Sequence, residues 1–474
     1  MTTDETTPRL EQFDSYERAC QEFSWRIPEH FNLADAVCRR HKDAVTRPAL
    51  LEVRPAAENL YTFGAINYLS DKFANVLKDC GLRRGDVVAA MLPQSAALPV
   101  AHLAALKLGG VVLPLAPPME AEAVAYRLKD SAAKFLIADA NTPDKLDKIT
   151  GRLPSLETVF VASDGEPGEL RGGHKDFWWE VRNASSYVKA IETDANTPAF
   201  IFYRADSGGD PAGVVYPHGL LIGQLPAFEM LNNFDLGAET IFWTPDDWAS
   251  IHPLFSMLYP AWHYGCPVVA YNAADADDIL TLLERNEITN LLVTPELLKT
   301  LLDATERKLS LRNIYVTDSP VAPELYEQAR SALGVTINEG YGFAEAPLVT
   351  ANCGRWFAAK PGSLGRAAPG HTIEIVDEQG NILPRGDTGF IALRLPNPSL
   401  AFQRMERLAD DLTNRLEGPA DRQPRGQRPR LNGIEISQPQ TALNVHQVPE
   451  AISAQWFITG EKAFKDEDGY LWRA

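Results

Sequence analysis

The sequence predicts an α/β protein built on open, largely parallel sheets, and three observations carry that prediction. Strand-like and helix-like stretches alternate from about residue 31 to residue 350. Near the middle, residues 199–219 read AFIFYRADSGGDPAGVVYPHG: a buried strand, a polar loop with glycines, and a second apolar start at Val214. That arrangement presents backbone N–H groups to phosphate. Beyond residue 360 the pattern changes to short strands and turns, so residues 362–393 read as hairpins of a small β subdomain, with 377–381 as a turn.

Taken in order, Phe31, Leu33, Ala34, Ala36 and Val37 give one helical face, and RPALLEV follows as a strand. Residues 66–80 carry apolar residues at helical spacing, and Gly81 stands where a helix C-cap glycine belongs. VVAAML is a strand ended by Pro93, residues 102–107 a helix broken by Gly109-Gly110, and VVLPLAP the next strand. A short helix at 126–131 precedes the strand KFLIAD. Residues 140–197 are turn-rich and peripheral, and include Trp178-Trp179. Residues 279–302 give helix, strand and helix, 311–316 a strand, and 335–340 a short strand running into YGFAE. His102, on an apolar helix, reads as a core histidine rather than a ligand.

Composition sets the bounds. The chain has 474 residues, enough for two or three domains and a large core. Its net charge of −18, from 45 basic and 63 acidic residues, argues against a nucleic-acid partner. Five scattered cysteines without a CxxC suit reduced thiols in the cytoplasm rather than a disulfide or zinc framework. No apolar run reaches the length of a membrane span, and no secretory leader is recognisable. Residues 1–25 are expected to fray.

Several motifs resemble the adenylate-forming enzymes, the superfamily of acyl-CoA synthetases, luciferases and peptide-synthetase adenylation domains. YRADSGGDPAG resembles their phosphate loop YTSGTTGxPKG. LRRGDVVAAMLPQS and LKLGGVVLPLAP resemble a helix, glycine-pair and strand unit, whose glycines also suit plain helix–strand packing. YGFAE resembles YGxTE, with KPGSLGRAAPGHTIEIVDEQGNILPRGDTGFIAL following it. WFITGEKAFKDEDGYLW resembles WxxTGDxxxxDEDGYxW. The resemblance covers residues 25–400 and 456–472. It implies a large N-terminal domain of two sheet-and-helix subdomains plus a small β subdomain, with residues 26–400 as the AMP-binding region.

The implied reaction has two halves: a carboxylate and ATP give acyl-adenylate and pyrophosphate, and the thiol of coenzyme A then displaces AMP. Short- or medium-chain fatty acids or aryl acids are the implied substrates, with ATP, Mg²⁺ and coenzyme A as cofactors. By resemblance Ser207, Gly208 and Gly209 would face phosphate, Tyr341 would flank adenine, and Gly342 would let backbone approach the acyl group. Glu345 would be the catalytic carboxylate and metal ligand, a hard oxygen donor suited to Mg²⁺. Glu461 stands where the ribose-binding aspartate belongs. Trp243, Trp248 and Gly340 are candidates for the acyl pocket, although buried tryptophans equally make plain core.

The departures fall at the nucleotide. Arg204-Ala205-Asp206 replace Thr-Ser-Gly, Ala212 replaces the loop lysine, Thr317-Asp318-Ser319 replace a glycine-rich adenine loop, and Ala344 replaces the threonine. Each lost donor would cost roughly 2.7–4 kcal/mol of transition-state stabilisation by analogy with oxyanion holes. The loop gains one cation, Arg204, whose direction its own motif does not specify. Residues 401–455, with seven arginines between 404 and 430, read as a charged helix at 405–416 followed by disorder, or as a basic docking segment. Residues 456–474 read as the remnant of the ribose motif. The resemblance implies a further small catalytic domain after Trp472, where this sequence stops. The expectation is therefore an impaired acid:CoA ligase, with an inactive binder of the same fold as its rival.

Overall fold

The computed structural model describes residues 8–54, 57–142, 145, 148–163, 173–206, 209–273, 275–302, 308–317, 319–400, 402–404, 430–431, 434–435 and 455–474. Among these residues the strands form an eight-stranded sheet, a nine-stranded sheet, a four-stranded sheet and one two-stranded pairing.

The eight-stranded sheet has a parallel centre, Val87–Met91 between Val111–Pro114 and Phe135–Asp139. These strands are apolar throughout because both faces are covered. Alternate residues enter different cores: Val88, Val112, Phe135 and Ile137 on one face, Ala89, Leu113, Leu136 and Ala138 on the other. The nine-stranded sheet runs parallel through Val268–Ala270, Phe242–Trp243, Asn290–Val293, Asn313–Thr317 and Thr336–Phe343. In each sheet the parallel run gives way to an antiparallel hairpin. The first hairpin joins Pro198–Asp206 to Gly209–Pro217, and the second joins Thr336–Phe343 to Ala346–Ala351.

Local signals explain many helix ends. The helix Phe63–Asp79 starts at Thr62, whose hydroxyl accepts the Ala65 N–H at 3.1 Å, and stops where Gly81 adopts a φ of +94°. The helix Ala97–Lys107 begins five residues before the expected start at 102, because Ala97 to Ala101 are buried against the sheet and need no polar face. The strand Ala57–Thr62 was absent from the sequence reading. It pairs at the sheet edge, largely exposed, so its residues carry no apolar alternation.

Two expectations need correction. The N-terminal stretch is not frayed within the described residues: Leu10 and Ala19 are fully buried, and the Leu10 N–H donates to the Glu229 carboxylate at 2.7 Å. The Tyr16 hydroxyl donates to the Ala367 carbonyl at 2.8 Å, anchoring the helix Tyr16–Glu22. Second, the phosphate-loop region is a hairpin rather than a polar loop between Tyr203 and Val214, since Asp206 already pairs with Gly209 and Arg204 with Ala212. Residues 456–474, read as the remnant of the ribose motif, belong to the small sheet. Trp456–Lys465 and Leu471–Arg473 complete the small sheet beside Gly389–Arg394 and Ile373–Val376, burying Ala463 and Leu471 in its core. The expected turn at 377–381 is present, with Asp377 accepting the N–H groups of Gln379 and Asn381. The expected helix at 405–416 lies outside the described residues, as does the stretch expected to be disordered after it apart from Arg430–Leu431, which pairs with Ile434–Glu435, and residue 455. All five cysteines are unpaired. Among the described residues, no helix is long and apolar enough to cross a membrane.

Candidate functional site

The site is built where the two hairpins meet. An aromatic platform sets the first one. Phe200 and Phe202 stack at 5.8 Å, Phe255 meets Phe200 edge-on at 5.1 Å, and Tyr216 meets Phe202 edge-on at 5.5 Å. The opposite face is braced by the helix Ala121–Asp130. There the Tyr203 hydroxyl donates to Asp130 at 2.6 Å, and the Tyr126 hydroxyl donates to the Pro211 carbonyl at 3.1 Å. Residues 200, 202 and 204 share one face by strand alternation, which carries Arg204 out past the platform toward the second hairpin.

The second hairpin is tied down along its length. Glu339 is buried, accepts the N–H of Val321 at 2.9 Å and that of Gly362 at 3.1 Å, and so fixes two loops on the strand. Burial pushes its carboxyl up to about 7. Gly342 allows the two strands to close, since a Cβ there would sit 2.1 Å from the Pro347 carbonyl carbon. At Gly340 a Cβ would meet Leu348 at 2.9 Å and Leu231 at 3.1 Å. Tyr341 is buried with Phe343, Ile373 and Ile391 in the core of the small sheet, and the Arg473 guanidinium lies 5.8 Å from its ring.

At the tip of this hairpin Ala344 and Glu345 form a two-residue turn between Phe343 and Ala346. Both touch the first hairpin. Arg204 Nη1 donates to Glu345 Oε1 at 2.5 Å, in a pair whose side chains are 36% and 25% exposed. The Tyr216 hydroxyl donates to the Ala344 carbonyl, and burial together with the nearby Glu345 carboxylate pushes its phenol up. Sequence reading singled out Glu345 and noted Arg204, but missed Tyr216; the Phe200, Phe202, Arg204 alternation was the available signal for Arg204.

The other predicted residues fall in different places. Ser207 and Gly208 lie outside the described residues, and Gly209 opens the second strand of the first hairpin. Glu461 is exposed on the small sheet, its N–H donating to Thr459 Oγ1 at 3.1 Å, and its carboxylate makes no ion pair among the described residues. Trp243 is fully buried with Leu283, Leu298 and Val269, its indole donating to the Tyr271 carbonyl at 3.4 Å. Trp248 is fully buried in the largest core, and its indole N–H has no partner among the described residues. His102 is a core residue as read, bonded to the Tyr259 hydroxyl at 2.8 Å and held neutral by burial.

A cleft of about 880 Å³ lined by Phe31, Asp35, Arg39, Arg40, Lys189 and Glu192 shares none of these residues. Several of the charges there are spent on one another, Arg39 on Asp35 and Asp71, Glu192 on His30. The hairpin junction carries the motifs, and it is the candidate site.

Mg²⁺ fits this junction poorly. One Glu345 oxygen, Oε1, is held by a guanidinium whose positive charge opposes a cation at the other, and Ala344 brings no oxygen-bearing side chain.

The sequence matches the family described as AMP-binding enzyme over residues 36–401. It is 27% identical over 486 residues to mouse mitochondrial acyl-coenzyme A synthetase ACSM3, covering 99% of this chain and 76% of that protein. The fold is similar to that of the Brucella canis acyl-CoA synthetase, with a TM-score of 0.80 at 20% identity over 97% of this chain and 79% of that one. It is also similar to the anthranilate CoA ligase AuaEII solved with anthranoyl-AMP, with a TM-score of 0.76 at 22% identity over 94% and 78% of the two chains. Enzymes of this family use ATP and coenzyme A. With its two large sheets, its small β subdomain and a family match across most of its length, the chain belongs to the AMP-binding, adenylate-forming enzymes, as an AMP-forming acyl-CoA ligase family member similar to the medium-chain acyl-CoA synthetases.

Proposed function

We propose that the hairpin junction binds an adenine nucleotide and a short- or medium-chain fatty or aryl carboxylate, and that adenylation there is attenuated. The observation that carries this reading is the double contact between hairpins, Arg204 to Glu345 and Tyr216 to Ala344. It brings the phosphate-loop frame against the YGFAE turn. In the reaction, a carboxylate oxygen of the acid attacks the α-phosphorus of ATP while the bond to the bridging oxygen breaks and pyrophosphate leaves. The thiolate sulfur of coenzyme A then attacks the acyl carbon, the acyl C–O bond breaks, and AMP departs with that oxygen and the electron pair.

The protein's share of such chemistry is positioning and neutralising charge. Arg204 supplies N–H donors, whereas Ala212 and Ala344 supply neither charge nor a side-chain donor. Ser207, Gly208 and Gly209 remain the proposed phosphate contacts, Tyr341 and Glu461 the proposed adenosine contacts, and Gly342 the proposed point of acyl approach. Gly340, Trp243 and Trp248 are the proposed acyl-side residues. Glu345 is the proposed catalytic carboxylate; the Mg²⁺ that resemblance would give it requires Arg204 to leave. Unpaired cysteines suit a reducing compartment, so a cytoplasmic location is proposed, although the mouse relative is mitochondrial by name.

A second reading is favoured by the same contact: with Glu345 engaged, the chain binds nucleotide and acid without turning over. Acid-dependent release of pyrophosphate, compared with Glu345→Ala, separates the two. Turnover above the variant supports the ligase; nucleotide binding without turnover supports the binder. Failure of both ATP and AMP to bind at millimolar concentration overturns the nucleotide site itself.

A further inference from the structure

We infer that Arg204 takes the place of the divalent cation, so that the junction binds a nucleoside monophosphate, free or as an adenylate ester, independently of metal and in preference to a triphosphate. This rests on reading the junction as a nucleotide site.

The geometry comes first. Arg204 projects from a paired strand position, opposite Ala212, and Glu345 from a two-residue turn closed by the Phe343–Ala346 pair. Both ends of the 2.5 Å contact are therefore held by backbone pairing, unlike a contact between two free surface side chains. A second tie, Tyr216 to the Ala344 carbonyl, fixes the same turn and commits the phenol hydrogen. A divalent ion on Glu345 would need the carboxylate oxygen at about 2.0–2.1 Å in near-octahedral geometry. The guanidinium already occupies hydrogen-bond distance of one of the two carboxylate oxygens, Oε1, and its positive charge repels a cation approaching the other.

Charge then selects the ligand. A divalent ion on Glu345 would leave a net positive charge facing phosphate. A guanidinium on the same carboxylate leaves a neutral pair, with further N–H donors on a side chain that is 36% exposed. The neighbouring Ala212 and Ala344 add no charge. A neutral, donor-bearing site suits one phosphate group. It leaves the three crowded anionic groups of ATP without compensation, and desolvating unpaired charge is costly.

Isothermal titration of the purified chain with AMP and with ATP, each in MgCl₂ and in EDTA, tests this. The expected result is an AMP affinity unchanged within about twofold by metal, and ATP binding at least about tenfold weaker with no rescue by Mg²⁺. Arg204→Thr together with Ala344→Thr should create metal dependence, raising ATP affinity about tenfold or more when Mg²⁺ is added. Should that variant unfold, Glu345→Gln decides: freeing Arg204, it should strengthen AMP several-fold while binding stays indifferent to EDTA. Tenfold strengthening of ATP by Mg²⁺ in the wild type, or weaker AMP binding in Glu345→Gln, overturns the inference while leaving the nucleotide site standing. No binding of either nucleotide to any form removes the site and the inference together.

Discussion

The two hairpins at the junction differ in what their residues are for. In the second, nearly every motif letter is committed to the fold: Glu339 holds two loops by their N–H groups, Gly342 lets backbone meet backbone, and Tyr341 fills the core of the small sheet. Only Glu345 reaches across. In the first, packing is done by Phe200, Phe202, Tyr203 and Tyr216, while the motif positions that depart from the family pattern include Ala212 and Arg204. Retention of Tyr341 and Gly342 is thus explained by packing and says little about chemistry. The side chains that packing does not hold are the ones that report on activity.

The comparison is broken most forcefully at Gly342. Gly342→Ala places a methyl against the Pro347 backbone, and should destabilise the chain by about 3 kcal/mol or more in urea unfolding. A loss under about 1 kcal/mol would show that the hairpin can relax and that the glycine serves the ligand instead.

Next is the carboxyl of Glu339. Its folded value near 7 lies above the ordinary 4.5, so its stabilising contribution is complete below about pH 4.5 and is lost as pH rises through 7. Relative to Glu339→Gln, the wild type should therefore lose up to roughly 3 kcal/mol between those values, read from urea midpoints against pH. The buried, neutral imidazoles of His102, His218 and His371 act with the opposite sign. Their folded values, near 3, 3 and 4, lie below 6.5, so their stability is present above 6.5 and lost as pH falls. The total stability should accordingly decline on acidification even as the Glu339 contribution grows.

The smallest effects belong to the tips. Coupling between Arg204 and Glu345 in a double-mutant cycle to alanine should be about 0.5–1 kcal/mol of stability, because the pair is partly exposed. Ala212→Lys should leave stability within about 0.5 kcal/mol and yet strengthen ATP binding, since it returns a cation to the first hairpin. If Ala212→Lys has no effect on ATP, the first hairpin does not face phosphate.

Legibility in the sequence followed the same division. The parallel strands were readable because VVAAM and FLIAD are apolar on both faces, and the helix at Phe63–Asp79 because Thr62 and Gly81 mark its ends. The edge strand Ala57–Thr62 was not readable, because an exposed edge imposes no apolar alternation. Nor was the N-terminal segment: the buried contact of Leu10 with Glu229 spans 219 residues, and MTTDETTPRLEQF carries no local sign of it. At the site, motif letters singled out Glu345, which the fold puts at a hairpin tip. They could not show that its partner is Arg204, a contact between strands of two different sheets 141 residues apart. Trp243 looked equally suited to pocket and core, and the sequence carried no sign of its full burial among Leu283 and Leu298.

The most direct test of the central claim is a crystal structure of the chain grown with AMP and MgCl₂. The account predicts the phosphate between the two hairpins, within hydrogen-bond reach of the Arg204 guanidinium, with no metal on Glu345. A nucleotide phosphate bridged to Glu345 by Mg²⁺, with Arg204 swung away, would contradict it.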